Sequence, residues 1–115
     1  MKNDTLTAAR LAAFSEFIDS GYPDTLSPET VDRRRFGKIT KENGEVSDAY
    51  DAMVGENFRK GATGSLDDVL HELLDVAMAS LAAYEHFTGN LGRALVALDA
   101  HVGQVAARAG IEVDA

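Results

Sequence analysis

Apolar residues recur at intervals of three and four positions through most of this 115-residue chain, and this spacing restricts the fold more than any other feature. The pattern is strongest over residues 66–81, where leucine, valine and alanine form a broad apolar face. No stretch of useful length alternates apolar and polar residues in the way of a half-buried β-strand. The sequence therefore predicts an all-α fold of four helices, in a single domain that covers residues 1–115.

Capping residues and glycines divide the pattern into its four segments. The predicted helices cover residues 6–18, 28–54, 66–87 and 91–109. Ser27 before a proline is typical of an N-cap followed by proline at the first helical position. Ser65, with an acid three residues later, has the form of a capping box. Gly55 and Gly110 are expected to end the second and fourth helices.

The second predicted helix has an apolar stripe that we expect to be buried. Its members at helical spacing are Phe36, Ile39, Val46, Ala49, Tyr50 and Met53. Gly44 lies inside the same helix and costs about 1 kcal/mol relative to alanine. Either another backbone or a ligand approaches closely at this glycine, or the helix tolerates a weak position.

Two apolar surfaces favour association of the chain with other copies of itself. The face of the third helix is wide enough for burial on more than one side. In the fourth helix, steps of four and three residues form a heptad-like seam suited to a helical partner, made of Leu91, Leu95, Leu98, Val102, Val105 and Ala109. We expect a four-helix bundle completed by oligomerisation, as a homodimer or a homotetramer.

Composition excludes several classes of function. The net charge of −8 argues against a nucleic-acid partner, because binding to a phosphate backbone requires a basic surface. The absence of cysteine excludes disulfides, zinc–thiolate sites and thiol catalysis. The first residues lack the apolar run of a signal peptide, and no stretch reaches transmembrane length. We therefore expect no membrane partner and a cytoplasmic location.

Two acidic pairs carry the strongest chemical signal. Glu42 and Glu45 lie three residues apart on the second predicted helix, and Glu72 and Asp75 have the same spacing on the third. This spacing places both carboxylates of a pair on one helix face. If the two helices pack antiparallel, the pairs face each other, and four close carboxylates require cations among them. Hard divalent cations such as Mg2+ prefer oxygen ligands of this kind. A solvated acidic surface is the alternative for the spacing alone.

The sequence segments around these pairs resemble the motifs of the MazG-like family of all-α nucleoside triphosphate pyrophosphohydrolases, which includes dimeric dUTPases and dCTP pyrophosphatases. The similar segments are Ile39-Thr-Lys-Glu-Asn-Gly-Glu-Val46 and Asp68-Val-Leu-His-Glu-Leu-Leu-Asp-Val76. The resemblance extends over about residues 36–98, and more loosely to the first helix. Both pairs match in order and spacing, which is more specific than a single acidic pair.

The resemblance implies hydrolysis of a nucleoside triphosphate to the monophosphate and pyrophosphate. It implies Mg2+ as cofactor, with Mn2+ as an alternative, held by Glu42, Glu45, Glu72 and Asp75. Glu42 or Glu45 would also act in catalysis by orienting or deprotonating the attacking water; the sequence does not choose between them. The base, the sugar and the number of metals are not defined by the sequence.

The chain also departs from the family pattern. Lys41 stands where many members have a second glutamate, and the fourth predicted helix lacks the family's phosphate-gripping lysine and asparagine. Other basic residues are alternative phosphate ligands: Arg59 and Lys60, or, on the second helix, Lys38, Arg33, Arg34 and Arg35. These departures keep a second hypothesis open, a helical protein that retains the fold for metal or nucleotide binding or for protein interaction, without hydrolysis.

By the same resemblance, aromatic residues of the first helix and nearby are candidates for base recognition. Phe14, Phe17 and Tyr22 are the first of these, followed by Phe58 and Tyr84. Aromatic residues at helical spacing are also typical of core positions.

Overall fold

The computed structural model describes residues 2–55 and 62–113 and contains, within them, four α-helices and no strand. The helices are α1 (Lys2–Ser20), α2 (Pro28–Val54), α3 (Leu66–Phe87) and α4 (Ala94–Arg108). The predicted all-α, four-helix fold is confirmed, and α2 and α3 have the predicted bounds. None of these helices combines the length and the apolar content that crossing a bilayer requires.

Local capping explains why α2 begins and ends, and why α3 begins, where the sequence predicts. The Ser27 hydroxyl accepts a hydrogen bond from the Thr30 backbone N–H at 3.2 Å, which satisfies one of the free donors at the start of α2. Ser65 and Asp68 form the reciprocal hydrogen bonds of a capping box at the start of α3. Gly55 ends α2 with a φ of 76°, a left-handed conformation that glycine adopts without steric cost.

The predicted start of the fourth helix at residue 91 is wrong. α4 begins at Ala94, because a turn precedes it in which Asn90 and Gly92 both have positive φ, 59° and 77°. The carboxylate of Glu85, fully buried at the end of α3, accepts hydrogen bonds from the backbone N–H groups of Gly92 and Ala94 at 2.8 and 2.7 Å. The Glu85 carboxylate therefore caps the N-terminus of α4, as the Ser27 side chain caps that of α2.

α3 is the central helix of the described part. It packs along α2 and against α1, whereas α4 makes fewer contacts with α1 and α3. The few fully buried apolar side chains are small, except for one leucine, and are Leu11, Ala79, Ala82, Ala83 and Ala94. Small residues on α3 allow the neighbouring helices to approach closely.

The predicted buried stripe of α2 is only partly right. Ile39, Val46, Ala49 and Met53 are half-buried, but Phe36 and Tyr50 are exposed. The positions of α2 that are fully buried belong instead to two charged residues, Arg35 and Glu42.

Arg35 and His86 are held in a polar network that ties α1, α2 and α3 together. Arg35 donates hydrogen bonds to the Ser15 carbonyl and hydroxyl oxygens at 2.6 and 2.9 Å, and pairs with Asp19 at 2.8 Å. The two ring nitrogens of His86 lie 2.8 Å from Asp19 Oδ1 and 2.7 Å from Asp32 Oδ1. Arg35 is therefore engaged in joining helices, which lowers its availability for the phosphate contact considered from the sequence.

Candidate metal centre and adjoining groove

Three of the four predicted ligands form a compact carboxylate cluster where α2 packs on α3. One ligand atom from each of Glu42, Glu45 and Glu72 lies within 4.8 Å of the other two. Oxygens that share one Ca2+ or Mg2+ ion at about 2.0–2.6 Å lie up to about 5 Å apart, so the spacing suits a single cation. The packing of α2 on α3 therefore brings three of the four predicted carboxylates together.

Asp75, the fourth predicted ligand, is not part of this cluster in the described residues. It is exposed on α3 and lies in the wall of the cavity next to the cluster. Three residues on a helix correspond to a rotation of about 300°, so Glu72 and Asp75 share a side of α3 without being superimposed. Asp75 is thus placed toward the cavity while Glu72 points between the helices.

The cluster already holds one positive charge, from Lys38. Its ammonium group lies 2.6 Å from Glu42 Oε1, one helical turn earlier on α2. The hydrogen bond from Lys38 lowers the pKa of Glu42 below its ordinary value, although burial opposes this. The same hydrogen bond raises the pKa of Lys38. Glu42 is therefore ionised and paired in this structure.

Glu45 has the opposite electrostatic environment. A hydrogen bond with Glu42 and the negative charge of Glu42 raise the pKa of Glu45 above its ordinary value, and burial and the charge of Glu72 add to this effect. A carboxyl group with a raised pKa accepts a proton more readily than an ordinary carboxylate. Within the cluster, Glu45 is accordingly the better proton acceptor.

Glu72 provides the test of whether a cation fits this cluster. Its Oε2 atom is buried and has no hydrogen-bond partner. A buried polar atom without a partner costs about 1–3 kcal/mol, which native structures rarely leave uncompensated. A divalent cation bound by Glu42, Glu45 and Glu72 would supply the missing partner. The donor set, which is all carboxylate oxygen, suits Mg2+, Mn2+ or Ca2+ and does not distinguish among them.

An open groove of about 910 Å³ adjoins the cluster and runs between α1, α2 and α3. One wall is basic and comes from α2, with Arg34, Lys38 and Lys41. The other walls carry apolar side chains of α1 and α3, among them Phe14, together with Tyr22 from the turn after α1. The groove therefore joins a cation-binding end, a positively charged wall and an apolar wall.

The aromatic candidates are separated by the structure. Phe14 lines the groove and is half-buried. Phe17 is 75% exposed and lies outside the groove, against a shallow depression beside Gly21. Tyr22 lines the groove and lies under the guanidinium of Arg34, whose central carbon is 5.8 Å from the ring centroid. The position of Phe17 does not support a part in base recognition, whereas Phe14 and Tyr22 are placed for it.

The structure places Lys41 in the groove wall, where its charge slightly lowers the pKa of Glu42 and partly offsets the rise at Glu45. A signal for the basic wall was present in the sequence, because residues 34, 38 and 41 recur at helical spacing on the face of α2 that carries Glu45. None of the residues that line the groove in the described part comes from α4.

Other predicted contacts are not found or lie outside the described residues. Leaving aside the neighbouring backbone of α2, no atom of the described residues lies within 4 Å of a Cβ built on Gly44, so no close approach is seen there. Phe58, Arg59 and Lys60 lie outside the described residues. The phosphate contact predicted for Arg59 and Lys60 stays a prediction.

Comparisons with models of known protein families, with curated proteins and with solved structures found no match to this chain.

Proposed function

We propose that this chain is a metal-dependent nucleotide pyrophosphohydrolase of the MazG-like type, which converts a (deoxy)nucleoside triphosphate and water into the monophosphate and pyrophosphate. The observation that carries the proposal is the carboxylate cluster with its unpartnered Glu72 oxygen, which opens beside a groove with one basic and one aromatic wall. The resemblance of both acidic motifs to the family supports the same reaction. We place its action on the cytoplasmic nucleotide pool and expect a homodimer or homotetramer.

Glu42, Glu45 and Glu72 would hold the cofactor, which we propose to be Mg2+, with Mn2+ as a substitute. When bound, such a cation neutralises phosphate oxygens and makes a water molecule more acidic. Asp75, at the groove wall, is the fourth acid available at the same end. The net charge of −8 does not oppose this substrate, because bound cations reverse the local sign of the site.

The basic wall of α2 supplies what the chain itself offers to the triphosphate. Arg34, Lys38 and Lys41 lie along one side of the groove, at the spacing of successive helical turns. Guanidinium and ammonium groups bind phosphate oxygens through charge-assisted hydrogen bonds. These residues take the part that the fourth helix plays in the family. The base would then lie toward Phe14 and Tyr22, at the apolar wall.

Glu45 is the residue that we assign to proton transfer. The water oxygen would attack the α-phosphorus, and its proton would pass to the Glu45 carboxylate, which lies in the cluster between the helices. The bond from the α-phosphorus to the bridging oxygen breaks, and that oxygen leaves with the β- and γ-phosphates as pyrophosphate. Glu42, which is ionised and paired with Lys38, would position the water rather than take its proton.

A screen of nucleoside triphosphates with Mg2+, which measures pyrophosphate against orthophosphate, tests the reaction and identifies the base. We expect pyrophosphate from at least one substrate, and expect Glu45→Gln and Asp75→Asn each to abolish it while the helical circular dichroism is kept. Asp51→Asn, which removes an exposed acid of α2, is the matched control and should keep full activity. Activity retained in both site variants would refute the assignment.

One observation favours a second function, a helical protein of the same fold that binds metal or partners without hydrolysis. Lys38 already neutralises Glu42, one of the cluster's three carboxylates. Thermal unfolding with and without Mg2+ or Mn2+, combined with the activity screen, distinguishes the two proposed functions, because a ligand that binds only the native state raises the Tm. A Tm shift without turnover of any triphosphate would select the second function, and no shift at millimolar metal would argue against the enzyme.

A further inference from the structure

Glu42 is a charged side chain in a nearly buried position, where α2 packs on α3. It is only 7% exposed, and an ionised carboxylate is costly to bury unless an opposite charge accompanies it. Lys38, one helical turn earlier on α2, supplies that charge, with its ammonium nitrogen 2.6 Å from Glu42 Oε1. The Lys38 side chain is half exposed. The ion pair therefore reaches from the contact between the helices to solvent.

The ammonium of Lys38 lies between the carboxylate cluster and the groove. Lys38 lines the groove, together with Arg34 and Lys41 of the same wall. A lysine ammonium has three N–H donors, and Glu42 is the one ion-pair partner that the described residues give to Lys38. Donors therefore remain that can turn toward the groove, where the proposed triphosphate would lie. A cation that bridges a carboxylate and a phosphate has the same placement.

The carboxylate cluster offers ligands for a single divalent cation. Among the described residues it is the one group of three acids or histidines close enough to share an ion, with its three ligand atoms within 4.8 Å of one another. Two cations in one site lie about 3.5–4 Å apart, so their ligands have to surround both. Asp75 lines the groove but lies outside the cluster. The described residues therefore provide one three-oxygen set, which suits one ion.

Lys38 occupies the position from which a second cation could share Glu42. Its ammonium already contacts Oε1 of that carboxylate. Three ionised carboxylates and one ammonium leave two negative charges, which a single divalent cation neutralises. A second divalent ion would give the group a net positive charge and would have to displace Lys38 from Glu42. The charges of the cluster therefore favour one metal ion together with the lysine.

We infer that Lys38 is a built-in second cation of this site: the cluster takes one divalent cation per chain, and the Lys38 ammonium supplies the second positive charge on Glu42, toward the substrate phosphates. The inference rests on the proposed function for the presence of the first cation. It goes beyond that function, because it states the number of metals and assigns Lys38 a positioning role between metal and phosphate.

Counting bound Mn2+ in the absence of substrate tests the inference. Equilibrium dialysis of the wild type should reach one Mn2+ per chain. The electron paramagnetic resonance spectrum should be that of isolated ions, without the coupling of a close pair. Two Mn2+ per chain, or a coupled spectrum, would overturn the inference and leave the proposed hydrolase intact. No bound Mn2+ at millimolar concentration would instead refute the cation site of the proposed function, and the inference with it.

Replacing Lys38 tests whether its charge holds the second position. Lys38→Met keeps the approximate length of the side chain and removes the ammonium, which leaves Glu42 Oε1 open to another ion. Mg2+ is often held by one or two carboxylates and water, so this variant should bind two Mn2+ per chain. Its first Mn2+ should bind about tenfold more tightly or better, because an adjacent ammonium repels a divalent ion even at the dielectric constant of water.

Two further variants serve as controls. Lys38→Arg keeps the positive charge and should bind one Mn2+ per chain. Arg34→Met removes a positive charge from the same groove wall, at a residue whose guanidinium lies over Tyr22, and should also keep one. A Lys38 that only stabilises the helix would leave the count in Lys38→Met at one, and this result would overturn the inference. The wild-type count decides the inference even if Lys38→Met fails to fold.

Discussion

Replacing Glu72 by methionine should stabilise the metal-free protein and remove its response to metal. In the metal-free protein, Glu72 Oε2 is buried without a hydrogen-bond partner, which costs about 1–3 kcal/mol. Methionine has a similar length and no oxygen, and it also removes a charge from beside Glu42 and Glu45. The free energy of unfolding without metal should therefore rise by about 1–3 kcal/mol. For a domain of this size, that corresponds to a rise in Tm of roughly 4–12 °C.

The same change should reverse the order of stability when metal is added. A cation at a thousand times its Kd stabilises the wild type by about 4.1 kcal/mol, because it binds only the native state. The Glu72→Met variant has lost one of three ligands and should gain far less. Thermal unfolding followed by circular dichroism, at one protein concentration, in EDTA and in MnCl2, measures both effects. Asp51→Asn serves as control, and should keep the wild-type shift with Mn2+.

Two results would refute this reasoning separately. If Glu72→Met is less stable than the wild type in EDTA, the carboxylate has a favourable partner in the native protein and is not an unsatisfied group. If the variant is more stable but keeps the full Mn2+ shift, the cation binds elsewhere, and Glu72 is not a ligand.

Three further predictions concern the residues around the site. Burial lowers the pKa of His86, but hydrogen bonds with two aspartates outweigh this and raise the pKa above its ordinary 6.5. The folded state thus holds this proton more tightly than the unfolded state. Protonated His86 therefore stabilises the fold fully below about pH 6.5, and this stabilisation is lost as pH rises through the raised pKa. His86→Gln should flatten that slope in urea unfolding between pH 6 and 9, and an unchanged slope would contradict the assignment. Arg35→Met removes the buried donor that Ser15 and Asp19 share and should lower the free energy of unfolding by about 3–5 kcal/mol. A loss below about 1 kcal/mol would show that the network is dispensable. Lys38→Met frees Glu42 from its ion pair, so the affinity for Mn2+, measured by calorimetry, should increase while the KM for the triphosphate rises. If Mn2+ binding and triphosphate binding both strengthen, or both weaken, Lys38 does not both compete with the metal and bind phosphate.

The helix bounds show which helix ends are determined by local sequence. Ser27, Ser65 and Gly55 define both ends of α2 and the start of α3 through hydrogen bonds and backbone conformations that involve only neighbouring residues. The start of α4 was misplaced because its cap is Glu85, several residues earlier on α3. A spacing pattern does not detect a cap that reaches the helix through a turn of the chain.

The burial of α2 shows where periodicity fails. The apolar stripe placed Phe36 and Tyr50 inside, yet Arg35 and Glu42 occupy the buried positions. Both charged residues find partners on the chain, Arg35 with Ser15 and Asp19 of α1 and Glu42 with Lys38. Hydropathy counts each residue alone, so it does not detect compensation by a partner side chain, whether four positions away as for Glu42 or on another helix as for Arg35.

The sequence by itself determined the number of helices, the ends of α2 and α3, and the four acids from which the carboxylate cluster is drawn. These follow from spacing and capping, which depend on residues at most four positions apart. Only the tertiary structure decided how each helix is rotated toward its neighbours. That rotation places Asp75 and Lys41 in the groove, leaves Phe17 outside it, and leaves Glu72 Oε2 without a partner. Its physical cause is the packing of small α3 residues and the Arg35–Asp19–His86 network, whose members are far apart in the chain.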